Sequence, residues 1–214
     1  MMRFGDRESG RGRLIDGARL ILAVLVLALG VVGCARGHVA RHRAEIEKRV
    51  ATDPGWQPRT YDIELLADWN HDRVPILVVN TNTVMTDFAP LFAVLPGDRL
   101  VSHADKGALK EILDAYFPKP TASDAKLLAQ LAVSFGETTP GVALGEVIEH
   151  FPTPSPPAGA SRSDPAPTYA RDGADHVIAF YAFEHERRRL NDCELRITPT
   201  GVALEHTPVE LGSP

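Results

Sequence analysis

Three residue types that serve in nucleophilic hydrolases stand close together in the middle of the chain. Ser102, His103 and Asp105 supply a hydroxyl, an imidazole and a carboxylate. A catalytic triad needs these groups to converge in space, and residues so near in sequence do not converge in that way. No nucleophile-elbow pattern surrounds the serine. The Ser-x-x-Asp spacing instead predicts a capping box at the start of a helix.

Two further groupings have the residue types of a metal site. Asp68, Asn70 and Asp72 have the spacing that opens a calcium-binding loop, but the loop's glycine and closing glutamate are absent, so we interpret them as a polar turn. His38 and His42 lie one helical turn apart without a third ligand nearby, which favours solvated side chains. The sequence therefore predicts no metal and no other cofactor.

The first 33 residues have the pattern of a secretory signal. A net-basic stretch precedes residues 20–32, which contain no polar side chain. As a helix, this run spans about 20 Å, which is short of the ~30 Å hydrocarbon core of a bilayer. We therefore predict that residues 1–33 are a signal peptide that is removed from the mature chain.

The end of this run, Val31-Val32-Gly33-Cys34, resembles the lipobox of bacterial lipoproteins. The resemblance implies that Cys34 is acylated, as by palmitate, because its sulfur is the nucleophile that takes the lipid. About two acyl chains suffice for stable membrane anchoring. Ala35 after the cysteine is similar to the sorting signal of outer-membrane lipoproteins, which implies a periplasm-facing protein held in that membrane rather than the inner one.

One pattern favours the alternative that the leader stays as an uncleaved anchor. Arg36, Arg41 and Arg43 follow the apolar run, and positive charge at this place opposes export. In that case Cys34 is another small apolar residue. Processing remains our expectation because the lipobox directly follows the apolar run.

The composition excludes several classes of protein. There are 23 Lys and Arg against 28 Asp and Glu, a net charge of −5, which disfavours nucleic acid as a partner. Two cysteines cannot build a disulfide framework or a four-thiolate zinc site. Cys193 alternates with Leu195 and Ile197, so we expect a buried, unreactive thiol.

We divide the mature chain into three parts. Residues 34–60 are a lipidated tether with a short helix, and residues 61–120 are an α/β region of unknown type. Residues 121–210 are predicted to form a helix-on-sheet domain. A proline-rich insertion at 152–172 interrupts this domain, and we expect it to be a flexible, solvent-exposed loop.

Apolar residues at helical spacing predict three helices after position 100. The first begins at Ser102 and ends before Pro118, and Thr121 with Asp124 caps the second. The third begins at Thr139-Pro140 and has a predicted apolar face made of Leu144, Val147, Ile148 and Phe151.

The strongest strand signals lie at 75–80 and in the C-terminal third. Residues 177–183 are apolar on both faces, as in a central strand, and residues 193–197 alternate. A four-residue loop, Thr198–Gly201, pairs Ile197 with Val202 and Leu195 with Leu204. The predicted fold class is α+β, with short helices on one face of a three-stranded antiparallel sheet.

Residues 141–207 resemble the SmpA/OmlA family of small outer-membrane lipoproteins, the BamE-like domain. The resemblance rests on the spacing of Gly141, Val147 and Pro154 and on the aromatic strand at 179–183. It implies two helices on one face of a three-stranded antiparallel sheet and a location at the outer membrane. It transfers no partner-binding residue.

Arg187, Arg188 and Arg189 form a basic run between two predicted strands. Acidic residues on both sides favour a solvated loop. The functional alternative is contact with a partner or with anionic lipid headgroups, which is worth about 1 kcal/mol per charge.

Three functions remain. The leading hypothesis is a non-enzymatic bacterial envelope lipoprotein that acts as an accessory or scaffold for a membrane protein partner. The alternative is a periplasmic ligand-binding or enzyme-inhibiting lipoprotein with a pocket beside residues 61–135. The third is an enzyme that uses scattered groups, namely Asp98, His103, His150 and His176.

Overall fold

The computed structural model describes residues 37–52, 61–66, 73–81, 89–136, 144–152, 156–184 and 187–210. The chain divides into two units between Gln57 and Pro58. The described part of the first unit is helix α1, residues 37–52, which confirms the predicted short helix. Within the described residues, no helix is both long enough and apolar enough to cross a membrane.

The second unit begins with a four-stranded antiparallel meander, which we call sheet A. Its strands are, in spatial order, β1 (Tyr61–Leu65), β2 (Ile76–Thr81), β3 (Leu91–Leu95) and β4 (Arg99–Ser102). Strand β2 is buried, as its apolar sequence predicted. The β3–β4 hairpin was not predicted. Its tight turn depends on Gly97 and Asp98, which both have positive φ angles of 79° and 60°.

Two helices follow sheet A. Helix α2 (Ala108–Tyr116) begins later than predicted, because Ser102 ends β4 and Gly107, with φ 75°, precedes the first helical turn. A single 3-10 turn (Ala122–Asp124) leads into α3 (Ala125–Phe135). The predicted capping at this second start is confirmed, since the Asp124 carboxylate accepts the Thr121 N–H at 2.8 Å.

Five further strands form a second antiparallel sheet, sheet B. They are β5 (Glu146–Val147), β6 (Thr168–Asp172), β7 (Asp175–Glu184), β8 (Arg189–Ile197) and β9 (Val202–Val209). Strands β5 and β6 both pair with β7, followed by β8 and then β9. The predicted register is confirmed, because Ile197 faces Val202 and Leu195 faces Leu204.

One hydrophobic core joins the two sheets through the helices. It contains Ile76 and Val101 of sheet A, Leu128 of α3, and Phe180 and Leu195 of sheet B. Helix α2 packs on β3 and on α3, and α3 packs on β5 and β7. The α+β class is therefore correct, but the single three-stranded sheet is wrong. The two helices bury apolar surface against both sheets rather than against one.

The predicted third helix is wrong over residues 144–152, which are extended there. Gly145 has a φ of 90°, and β5 pairs with the edge of β7. The four apolar residues of the expected helical face divide between two sides of sheet B. Leu144 and Val147 pack on the main core, whereas Ile148 and Phe151 pack on the opposite face. The backbone conformation at Gly145 and the pairing of β5 with β7 therefore place on two faces of the sheet the residues that suggested one helical stripe.

The proline-rich segment is folded onto sheet B where the structure describes it. Residues 168–172 form β6, and the Arg162 side chain is 21% exposed against Tyr181. The expected flexible loop is therefore wrong for residues 168–172, which form a strand, whereas the expected exposure to solvent is confirmed for most of the described residues of the segment. Aromatic and charged side chains of sheet B hold the segment. The amino-acid composition of the segment does not reveal these contacts.

Candidate functional site

The basic run lies at the tip of the β7–β8 hairpin. Arg189 donates to Glu184 from Nη2 to Oε2 at 2.8 Å, and Arg187 Nε lies 3.4 Å from Glu184 Oε1. The Glu184 side chain is 9% exposed, so a nearly buried carboxylate is held by two guanidinium groups. We call Glu184 with Arg187, Arg188 and Arg189 the arginine tip.

Arg188 differs from its two neighbours. It is exposed, and its φ of 49° places it in the left-handed region, which costs a side-chain-bearing residue about 1 kcal/mol. Within the described residues, no hydrogen bond or ion pair of Arg188 is found. Among the described residues, the tip therefore presents one guanidinium without a partner beside two that pair with Glu184. A planar guanidinium can donate two parallel hydrogen bonds to a carboxylate or phosphate.

The hydrolase-like residues are committed to a turn after β4. The Asp105 carboxylate accepts the Ser102 N–H at 2.8 Å, and Ser102 Oγ accepts the Ala104 N–H at 3.2 Å. His103 Nδ1 accepts the N–H of Leu91 at 3.2 Å. The serine and the imidazole therefore each satisfy a backbone donor rather than each other. This arrangement fixes the strand end and provides no nucleophile–base pair.

The scattered polar groups lie on separate elements. Asp98 is in the β3–β4 turn, His103 follows β4, His150 follows β5 and His176 is in β7. His176 Nδ1 is 2.7 Å from the hydroxyl of Tyr169 on the neighbouring strand β6.

A second polar cluster lies on the outer face of sheet B, under the proline-rich segment. The Arg162 guanidinium lies 4.3 Å from the ring centroid of Tyr181, and its Nη2 donates to Asp192 at 3.2 Å. Ser161 also donates to the Asp192 carboxylate. Sequence reasoning missed this cluster, because Arg162 and Asp192 stand thirty positions apart.

A cavity of about 140 Å³ lies where α2, α3 and β9 meet. Its lining residues are Gly107, Leu109, Lys110, Phe135, Val202 and Leu204. This is the junction at which the sequence suggested a ligand pocket. Its volume is below the roughly 300–1,000 Å³ of typical small-molecule sites.

The Cys193 thiol is buried, as predicted. Burial, together with the charge of Asp192, raises its pKa to about 12. The thiol is therefore protonated at neutral pH and is a poor nucleophile.

Several predicted features lie outside the described residues. These are the lipobox Val31–Cys34, the Asp68–Asp72 turn, and Gly141 and Pro154 of the family resemblance. His38 and His42 are described and lie on α1, with ring centroids 6.5 Å apart and ring planes 7° from parallel. Comparisons with protein-family models, with curated proteins and with solved structures each found no match to this chain.

Proposed function

We propose that this protein is a non-enzymatic bacterial envelope lipoprotein that acts as an accessory or scaffold for a membrane protein partner. In this proposal, acylated Cys34 holds the protein in the outer membrane, facing the periplasm. The lipobox directly after the apolar run supports the anchor. The arginine tip supplies the contact with the partner.

The pairing of Glu184 with two arginines in the arginine tip is the observation that carries the proposal. A buried carboxylate is costly unless it is paired, and here Arg187 and Arg189 both pair with Glu184. These contacts restrict the Arg187 and Arg189 side chains before any partner arrives, which lowers the entropy lost on binding. Arg188 is kept in a left-handed conformation that glycine or asparagine adopts more easily. Such local strain often coincides with function.

The chemistry of the tip suggests an acidic surface on the partner. An arginine that meets a carboxylate forms charge-assisted hydrogen bonds, which are stronger than neutral ones. A solvated tip with no partner would give Arg188 no advantage over a residue that tolerates positive φ. We therefore place the scaffold contact at Arg188, with Arg187 and Arg189 as the residues that position it.

An affinity purification with a matched variant tests this assignment. We would tag the full chain at its C-terminus and recover it from gently solubilised envelopes as wild type, Arg188→Asn and Arg171→Asn. Asparagine tolerates the left-handed conformation, so the first variant removes the guanidinium and keeps the turn. Arg171 is an exposed arginine in the hairpin at the other end of β7, so it controls for loss of charge.

We expect the partner's apparent affinity to fall about tenfold in Arg188→Asn, since a hydrogen bond to a charged group contributes about 1.5–3 kcal/mol. Recovery with Arg171→Asn should match the wild type. Equal recovery with all three proteins would contradict the assignment. Weaker binding of Arg188→Asn to anionic vesicles, with unchanged partner recovery, would assign the tip to lipid headgroups instead.

A further inference from the structure

Strand β9 is the last strand of sheet B, and its hydrogen-bonding pattern follows from its hairpin. Thr198 and Gly201 exchange backbone hydrogen bonds at 2.8 and 3.4 Å. Antiparallel ladders alternate between bonded and non-bonded pairs, so Ala203 and Glu205 bond to β8. The N–H and C=O groups of the intervening residues, Val202, Leu204 and His206, point away from β8.

Pro208 supports this assignment. Its position is one whose backbone groups point away from β8. The missing N–H of Pro208 therefore removes no hydrogen bond between β9 and Asn191 of β8. Within the described residues, no hydrogen bond reaches the outward backbone groups of 202–206. The backbone N–H and C=O groups of Val202, Leu204 and His206 therefore have no hydrogen-bond partner among the described residues.

This edge is longer than those of the other terminal strands. Strand β9 has eight residues, whereas β1 has five and β4 has four. Natural sheets usually shield such an edge with charged side chains, especially lysine, or with proline, bulges or short strands. Residues 202–206 contain no lysine and no proline, and their one acidic side chain is Glu205; Pro208 blocks the strand beyond them.

We propose that a second copy of this chain pairs with this edge through its own β9, in antiparallel orientation about a two-fold axis at Leu204. In this register Leu204 faces Leu204 of the second copy, and Val202 faces His206 in both directions. All the outward N–H groups of 202–206 then find a carbonyl. Pro208 lies beyond the paired segment in each copy, so its lack of a backbone N–H removes no hydrogen bond between the two copies.

The neighbouring register is less favourable. A two-fold axis at Glu205 would place the two Glu205 carboxylates opposite each other and would pair Val202 with Pro208, which has no N–H to donate. Like charges directly opposite each other destabilise a strand pair. The register centred on Leu204 instead sets each Glu205 against Ala203, which is small and uncharged.

Side chains agree with the same register. Leu204 lies on the core side of sheet B, at the cavity that Leu109 and Phe135 also line. Two copies about this axis bring their Leu204 side chains together beside these cavities. The dimer therefore buries apolar surface on one face and leaves Ala203 and Glu205, both exposed, on the other.

Sedimentation of the purified full chain in detergent tests the dimer. His206→Pro removes one outward donor per copy and keeps the ladder with β8, as Pro208 already does. His206→Ala is the matched control, because it removes the side chain and keeps the N–H. We expect the dimer dissociation constant to rise about tenfold or more in His206→Pro and to change little in His206→Ala. A protein that stays monomeric at all concentrations would overturn the proposal.

Disulfide trapping tests the register by a separate route. Ala203 and Glu205 of the two copies form a non-bonded pair, with Cα atoms about 4.5 Å apart, within the range of a disulfide. A mixture of Ala203→Cys and Glu205→Cys chains should cross-link, while each variant alone should cross-link no more than the wild type. Equal cross-linking in all samples would reject this register. Protection of β9 amides only after envelope extract is added would assign the edge to a foreign strand and overturn the dimer.

Discussion

Arg162 lies flat over Tyr181, with its guanidinium carbon 4.3 Å from the ring centroid, while the backbone N–H of Arg162 donates to the Tyr181 hydroxyl at 3.0 Å. One fully buried tyrosine thus holds both the side chain and the backbone of the proline-rich segment. Prolines reduce the freedom of the unfolded chain, so fewer contacts are needed to order the segment.

Tyr181→Phe keeps the ring and removes the hydroxyl, which should loosen the proline-rich segment without unfolding the sheet. We expect a loss of about 1 kcal/mol of stability and faster proteolysis between residues 156 and 167. Tyr169→Phe is the control, because its hydroxyl contacts His176 within the β6–β7 hairpin and makes no hydrogen bond with the described residues 156–167. Equal cleavage rates in the two variants would show that the Tyr181 hydroxyl does not hold the segment.

Asp124 makes the stability of the fold depend on pH. Burial alone would raise the pKa of this carboxyl, but hydrogen bonds from the Thr121 N–H, Arg73 and the Thr121 hydroxyl, with the charge of Arg73, lower it overall. A lowered folded-state pKa stabilises the protein above the unfolded value, near 4, and this contribution is lost as pH falls through the folded-state pKa.

Asp124→Asn should therefore cost about 2 kcal/mol at pH 7, because it removes a charged partner from Arg73. The difference between wild type and variant should shrink as pH falls from 5 to 2. Urea unfolding at a series of pH values measures this. A constant difference across the series would refute the assigned role of the ion pair.

Gly145 permits a close backbone approach between β5 and β7. Its φ is 90°, and a Cβ there would lie 2.2 Å from the carbonyl oxygen of Phe183. Gly145→Ala should cost about 3 kcal/mol or more, because both the conformation and the contact are unfavourable. Gly97→Ala, with φ 79° but open space around its Cβ, should cost about 1–2 kcal/mol. Similar melting temperatures for the two variants would contradict the steric account.

Cys193 should resist thiol reagents in the folded protein. Its pKa of about 12 keeps it protonated, and it is 1% exposed. In a Cys34→Ser chain, we expect no labelling by a disulfide reagent at pH 8 until denaturant is added, and then one thiol per chain. Rapid labelling of the native protein would mean that the strand β8 opens readily.

The C-terminal hairpin was predictable because alternation and turn chemistry agreed. The loop Thr198–Gly201 allows one register that keeps Leu195 and Leu204 on the same face, and the structure has that register. Helix α3 was predictable for a similar reason, since Thr121 and Asp124 mark its start beside a clear apolar stripe.

The errors arose where tertiary contacts decide between local alternatives. Leu144 and Ile148 fit a helical stripe, yet the free edge of β7 pairs with this segment and sends them to opposite faces. Ser102 and Asp105 have capping-box spacing, but β4 extends to Ser102, so the same hydrogen bond closes a turn instead. The arginine tip could be located from sequence, whereas its pairing with Glu184 depends on strand register.

The most direct test of the proposed function is affinity purification of the C-terminally tagged protein from gently solubilised envelopes, with mass spectrometry of the intact bait and of the proteins recovered with it. We predict a bait whose first residue is acylated Cys34, together with a membrane protein in near-equal amount. A bait that retains residues 1–33, or an acylated bait that repeatedly returns alone, would contradict the proposal.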